Sequence, residues 1–293
     1  MVTGPVTDVR RSVVVIGLRE RPGVLWTYPS AGEPATVPYG RFTVDAVPDG
    51  PVTGRPPLVL LSHGTGSTPD VYRGLACDLA REGLAVAALS HAGNRLGDDE
   101  LAGTVEVLTR RTKQAVDVVD TARAVLGSGC DTRRIGVVGH SLGGATALSL
   151  AGARAASMPW ETSDGTARPI PVSRDPRVAA IVLLSPATPW FAAPGALDAV
   201  EVPTLLLSAE HDEHAPAWHG AVVTAGMPHT THHVVAGAGH FAALTPFGPH
   251  AVRAGLPPAL DPPGFDRAAA QATWHPRIGA WLRRHLRTTQ SAA

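Results

Sequence analysis

An α/β class is predicted for this chain: a mostly parallel central sheet with helices on both faces and only short cap segments. Three observations carry that prediction. Short continuous apolar runs at Leu58 to Leu61, Leu84 to Leu89, Ile135 to Val138, Ala179 to Leu184 and Thr204 to Leu207 have the length of strands covered on both sides. Between them apolar residues return at helical spacing, so strand and helix alternate and neighbouring strands pair in parallel through right-handed crossovers. A chain of 293 residues with 44% apolar and 17% charged side chains can bury the core such a sheet needs.

In chain order, Ser12 to Leu18 and Val24 to Tyr28 read as a hairpin about Arg21-Pro22-Gly23. Residues 29–57 are punctuated by Pro, Gly and Asp, and only Gly40 to Val47 offers a short strand. Val71, Tyr72, Leu75, Ala76 and Leu79 mark the first helix. A second runs from Thr112 to Leu126 on Ala115, Val118, Val119 and Ala122, and Gly127-Ser128-Gly129 stops it. Thr231 to Val235 is expected as the last strand. Trp274, Ile278, Trp281, Leu282 and Leu286 form a closing amphipathic helix, with Arg283, Arg284 and Arg287 at the negative end of its dipole. One domain over residues 1–293 is expected, with N-terminal strands inside 11–57 and two polar or Pro-rich insertions, 155–176 and 185–200.

Charge and cysteine content narrow the function classes. The 25 basic and 25 acidic residues leave no field to gather nucleic acid or an acidic membrane, so neither is expected as a partner. Two cysteines, Cys77 and Cys130, are too few for a disulfide framework and lack zinc-ligand spacing. Arg10-Arg11 superficially resembles a twin-arginine signal, but the following apolar run ends at Gly17-Leu18 and meets Arg19, Glu20 and Arg21. No segment has the roughly 18 apolar residues of a membrane span. A soluble, cytoplasmic protein is the expectation.

The stretch Gly139-His140-Ser141-Leu142-Gly143-Gly144 follows the Ile135 to Val138 run and opens a helical pattern with Ala145, Leu148 and Ala151. A serine in G-x-S-x-G at a strand-to-helix turn has the form of a nucleophile elbow. Serine needs a base to take its proton and a carboxylate to orient that base. His240, in Gly237-Ala238-Gly239-His240, follows the last expected strand, and Asp212 follows the Thr204 to Leu207 strand. Glu210, Glu213 and Asp198 compete for the acid's role, and His211, His214, His219, His229, His232 and His233 for the base's. His211-x-x-His214 has no converging second pair, so no metal is expected. The oxyanion donors are expected to be the Leu142 amide and that of Thr65, with Gly66 as the alternative, from Ser62-His63-Gly64-Thr65-Gly66-Ser67. His63 reads as a brace for that loop. Gly66, and His91 and Asn94 from the next polar loop, are candidate substrate contacts. Trp190 and Phe191 follow a strand end, where open α/β sheets bind ligands, and either wall the pocket or pack in the core.

Leu61 to Ser67, His91-Ala92-Gly93-Asn94 and Gly139 to Gly144 together resemble the dienelactone-hydrolase-like and platelet-activating-factor-acetylhydrolase-like esterases of the α/β-hydrolase superfamily. True dienelactone hydrolases use a cysteine where this chain has Ser141. The resemblance implies a cofactor-free serine hydrolase acting on a small-molecule ester, lactone or thioester. An acyl-transferase or cyclase using the same triad, and a non-catalytic ligand-binding protein of that fold, remain the alternatives. Because 185–200 is short and broken by Pro186, Pro189 and Pro194, short acyl groups are expected as substrates.

Overall fold

The apolar runs become strands because each is buried on both faces. In the computed structural model, which describes residues 15–287, the chain forms β1 (Ile16–Arg21), β2 (Val24–Pro29), β3 (Ala35–Tyr39), β4 (Phe42–Pro48), β5 (Pro57–Ser62), α1 (Arg73–Arg81), β6 (Ala85–Leu89), α2 (Glu106–Leu126), β7 (Asp131–His140) and α3 (Leu142–Ala151). It continues through β8 (Val178–Leu184), β9 (Thr204–Ala209), α4 (Ala217–Gly226), β10 (Thr231–Val235), α5 (Pro249–Arg253) and α6 (Arg267–Leu286). The Arg10-Arg11 pair and Ser12 to Val14 of the expected first strand lie outside the described residues.

One ten-stranded sheet runs in the order β10-β9-β8-β7-β5-β6-β2-β1-β4-β3. From β10 to β6 every pairing is parallel, and β2 then adds antiparallel to β6. Successive residues point to opposite faces, which divides the core in two. Leu58, Leu60, Val137, Ile181 and Leu183 pack with Leu108, Ala115 and Val119 of α2 and Leu148 of α3. Val59, Leu61, Val138, Val182 and Leu184 pack with Leu75 and Leu79 of α1 and Ile278 and Leu282 of α6. Helices therefore cover both faces, as the unbroken apolar runs require.

Several elements differ from the sequence expectation. Between Pro29 and Pro57 there are two strands, not one, because β3 carries Pro38 at the sheet's edge, where a missing N–H breaks no ladder. The second helix starts at Glu106 rather than Thr112, since its inward stripe of Leu108, Arg111 and Ala115 includes a buried guanidinium that interrupts the apolar signal. The first helical segment opens as a 3-10 turn, Pro69–Tyr72. The closing helix begins at Arg267, seven residues before Trp274, where Asp266 Oδ1 accepts the Ala269 amide at 2.9 Å. α4 buries only His219, Gly220 and Val223, too few positions to announce a helix. No helix among the described residues is long and apolar enough to cross a membrane.

Candidate active site

Parallel strands place their C-terminal ends along one edge of the sheet, and β5, β7, β9 and β10 all deliver polar loops there. Between β7 and α3 the chain turns sharply at Ser141, which adopts φ 54° and ψ −120°. For a residue with a Cβ, that conformation costs on the order of 1–3 kcal/mol and persists only where the surroundings fix it. Here they do: the Ser141 amide donates to Leu184 O at 3.0 Å, and its carbonyl accepts from Gly144 and Ala187 at 2.8 and 2.9 Å. The flanking glycines are obligatory, since a Cβ on Gly139 would lie 2.1 Å from Gly143 O and one on Gly143 would lie 2.0 Å from Ser62 O.

The loop after β9 brings in Asp212 and the loop after β10 brings in His240. His240 Nδ1 stands 2.9 Å from both carboxylate oxygens of Asp212, and both residues are buried. The backbone amides of His214 and Ala215 also donate to Asp212 Oδ1, at 3.0 and 2.7 Å. Burial alone would push the Asp212 carboxyl up, but the bonds from His240 and the Ala215 amide outweigh it and hold it at about 2. Glu210, the nearest competitor, instead accepts the Gly237 amide at 2.7 Å and ties the two loops together. Ser141 and His240 line the same cavity.

The loop after β5 passes over the serine, with the ideal Cβ position of Gly64 only 3.2 Å from Ser141 Cβ. The Thr65 amide donates to no described residue, and the Leu142 amide, first in α3, has no intrahelical acceptor. Gly64 N–H is already engaged by the Tyr72 hydroxyl at 3.1 Å.

Behind this loop lies a second serine and imidazole, Ser62 and His91, with Oγ 2.8 Å from Nε2. Both are fully buried beneath the strand ends, where no substrate reaches them. Arg111 joins them from α2: its guanidinium donates to Thr146 Oγ1 at 3.1 Å, Asn94 Oδ1 at 2.6 Å, Ser62 Oγ at 3.2 Å and the His63 carbonyl. The His91 amide donates to His63 Nε2 at 3.1 Å, so the His63 Nδ1–H donates to Gly64 O at 2.7 Å. Burial, reinforced by the Arg111 charge, takes His63 down to about 3 and His91 well below its ordinary value. This cluster braces the Thr65 loop from within.

The cavity encloses about 560 Å³. Thr65, Gly66, Ser141 and His240 line it, together with His214, Phe241, Leu244, Phe247, Leu256 and Pro258. Four residues expected at the substrate lie elsewhere. His91 and Asn94 are buried in the Arg111 cluster, Asn94 also donating to Asp99 Oδ1 at 2.6 Å. Phe191 is buried in the core, and Trp190 Nε1 faces the Glu161 carboxylate at 3.2 Å. The insertion carrying them folds back against 155–161 rather than over the strand ends. Tyr72, His140 and Arg111, which bond to the site's loops from a 3-10 turn, the end of β7 and α2, are the residues the sequence does not announce. For Arg111 the available signal was a charge placed on an otherwise apolar helical stripe.

Among the described residues no group of three or more His, Cys, Asp or Glu side chains is arranged to hold a metal. The architecture matches a solved ferulic acid esterase from Streptomyces cinnamoneus over 97% of this chain and 94% of that one, with a TM-score of 0.69 and 23% identity. The chain has the α/β-hydrolase fold. A family model described as serine aminopeptidase, S33, matches residues 55–161 of this hydrolase-fold chain, which include Thr65, Ser141 and Leu142. Platelet-activating factor acetylhydrolase from Canis lupus familiaris is 29% identical over a match covering 38% of this chain and 35% of its own length. The match thus spans about a third of that curated relative. Because the family match ends at residue 161, Asp212 and His240 stand on their geometry.

Proposed function

We propose that this chain is a serine hydrolase that cleaves a compact carboxylic ester, lactone or thioester through an acyl-enzyme on Ser141. One observation carries the reading: the strained Ser141 turn and His240 face a single cavity, while His240 Nδ1 is 2.9 Å from both Asp212 oxygens. Asp212, an obligate acceptor when ionised, keeps the His240 proton on Nδ1, which leaves Nε2 as the lone pair that takes the Ser141 proton. Ser141 Oγ then bonds to the substrate carbonyl carbon. The negative charge moves to the carbonyl oxygen, which the Thr65 and Leu142 amides receive; removal of one such donor costs about 2.7–4 kcal/mol of barrier elsewhere. As the tetrahedral adduct collapses, the His240 proton passes to the leaving oxygen or sulfur and the acyl group stays on Ser141. A water that gives its proton to His240 next attacks the acyl carbon, and the acid leaves as Ser141 recovers its proton.

The cavity's volume lies in the range that encloses drug-sized ligands, and its apolar lining of Phe241, Leu244, Phe247 and Leu256 suits an aryl or short acyl group. A fluorophosphonate probe tests the nucleophile. Wild-type protein should be labelled on Ser141 in step with loss of 4-nitrophenyl acetate hydrolysis, and Ser141→Ala should remain folded, unlabelled and inactive. Labelling confined to Ser62, or full activity in Ser141→Ala, would reject the assignment.

A further inference from the structure

Tyr72 and His140 form a buried strut between the three loops that carry the proposed catalytic groups. His140 Nε2 lies 3.0 Å from the backbone carbonyl of His240, His140 Nδ1 lies 2.8 Å from the Tyr72 hydroxyl, and that hydroxyl lies 3.1 Å from Gly64 N. Tyr72 is 1% exposed and His140 3%, so water does not replace these bonds. The direction of every hydrogen follows. A carbonyl can only accept, so His140 Nε2 carries the proton and donates to His240 O. Nδ1 of the neutral ring then accepts from the Tyr72 O–H, and the Tyr72 oxygen accepts from Gly64 N–H. Burial opposes a charge on the ring and keeps it neutral, in keeping with a His140 value near 3.

The strut's ends are placed where small displacements reach the reacting atoms. His140 precedes Ser141 at the end of β7, Gly64 precedes Thr65, and the carbonyl that accepts from His140 belongs to His240 itself. We infer that Tyr72 and His140 are positioning residues that hold the oxyanion loop, the nucleophile turn and the base at fixed separations. Neither touches the reacting atoms in this role. The inference rests on the Ser141 and His240 reading above. Tyr72 reports to Thr65 through Gly64, and His140 reports to His240 through its main chain. In an active site, a misplacement of about 1 Å costs on the order of 100-fold in rate. Loss of the strut therefore acts on turnover more than on substrate affinity.

The test is a set of three variants assayed with 4-nitrophenyl acetate, each with a urea unfolding curve. Tyr72→Phe removes one oxygen and leaves the ring packing intact. His140→Gln can place an amide N–H near the position of Nε2 and so keep the bond to His240 O, whereas His140→Asn is too short to reach it. Expected are a fall in kcat of about 10- to 100-fold for Tyr72→Phe and His140→Asn with KM near the wild-type value, and partial recovery of kcat in His140→Gln. Wild-type kcat in folded Tyr72→Phe, or equal loss in His140→Gln and His140→Asn, would overturn the inference. If Tyr72→Phe proves unfolded, the His140→Gln and His140→Asn pair decides alone. Fluorophosphonate labelling of Ser141 in the wild type separates the two readings: without it the hydrolase assignment fails, and with it only the strut is at stake.

Discussion

Asp212 gathers three N–H donors, from the His240 ring and the His214 and Ala215 amides, around a carboxylate buried from solvent. Only a charged carboxylate satisfies all three. An asparagine there must present either its oxygen to the ring or an N–H that repels it, and it cannot balance an imidazolium. Asp212→Asn is expected to lower kcat by on the order of 10²–10⁴ with the fold retained. Glu210→Gln should lose far less, because Glu210 meets a backbone amide rather than the ring. Steady-state kinetics of both variants with one aryl ester checks the pair; the reverse ranking would move the acid's role to Glu210. At this scale the candidate site was readable in the sequence: Ser141, Asp212 and His240 stand in sequence contexts that strand ends impose. His140 was not readable, since nothing about the x before a serine tells which carbonyl its ring will meet.

The segments that shape the cavity are a matter of elements. The walls come from the 3-10 turn Pro69–Tyr72, the 3-10 turn His240–Ala243 and the chain through Leu256 and Pro258, beside α5. The insertion with Trp190 and Phe191 follows a strand end too, yet the Trp190 carbonyl accepts from the Ala156 amide, its ring N–H meets Glu161, and Phe191 is buried in the core. Those long-range partners, which periodicity does not reveal, decided where the insertion lies. The parallel core was legible because runs buried on both faces are written as unbroken apolar letters. β3 and α4, each buried on little of its surface, left no comparable trace. Phe247→Ala should therefore change acyl preference, whereas Trp190→Ala should leave it as in the wild type. Aryl esters from acetate to palmitate provide the measurement. The wild-type kcat/KM should peak at short chains, because a groove extended to take longer ones would gain about 0.8 kcal/mol per buried methylene and climb steadily instead. A maximum at ten carbons or longer would contradict the compact cavity, and a shift with Trp190→Ala would return that residue to the pocket.

Across the whole molecule, the loops at the strand ends are held together by imidazoles that must stay neutral. His63, His91 and His140 are all buried, and burial is the largest cause taking His63 and His140 to about 3 and His91 well below 6.5. In the unfolded chain these rings regain an ordinary value near 6.5. Between about pH 6.5 and pH 3 the unfolded state therefore binds protons that the folded state refuses, so stability falls as pH falls through that window. Each such histidine contributes a slope of up to about 1.4 kcal/mol per pH unit. Asp70, Asp78 and Asp212 are held below their usual value of 3.8, so their contributions are present above it and fade only at more acid pH. The histidines thus act first. Urea midpoints should be nearly level from pH 8 to 7 and drop steeply from pH 6 to 5, before Asp70, Asp78 or Asp212 protonates appreciably. His91→Gln, whose amide can still accept from Ser62 without taking a proton, should flatten the acid slope by about one proton's worth. An unfolding midpoint at pH 5 equal to that at pH 8 would show that these rings are not kept neutral in the folded protein.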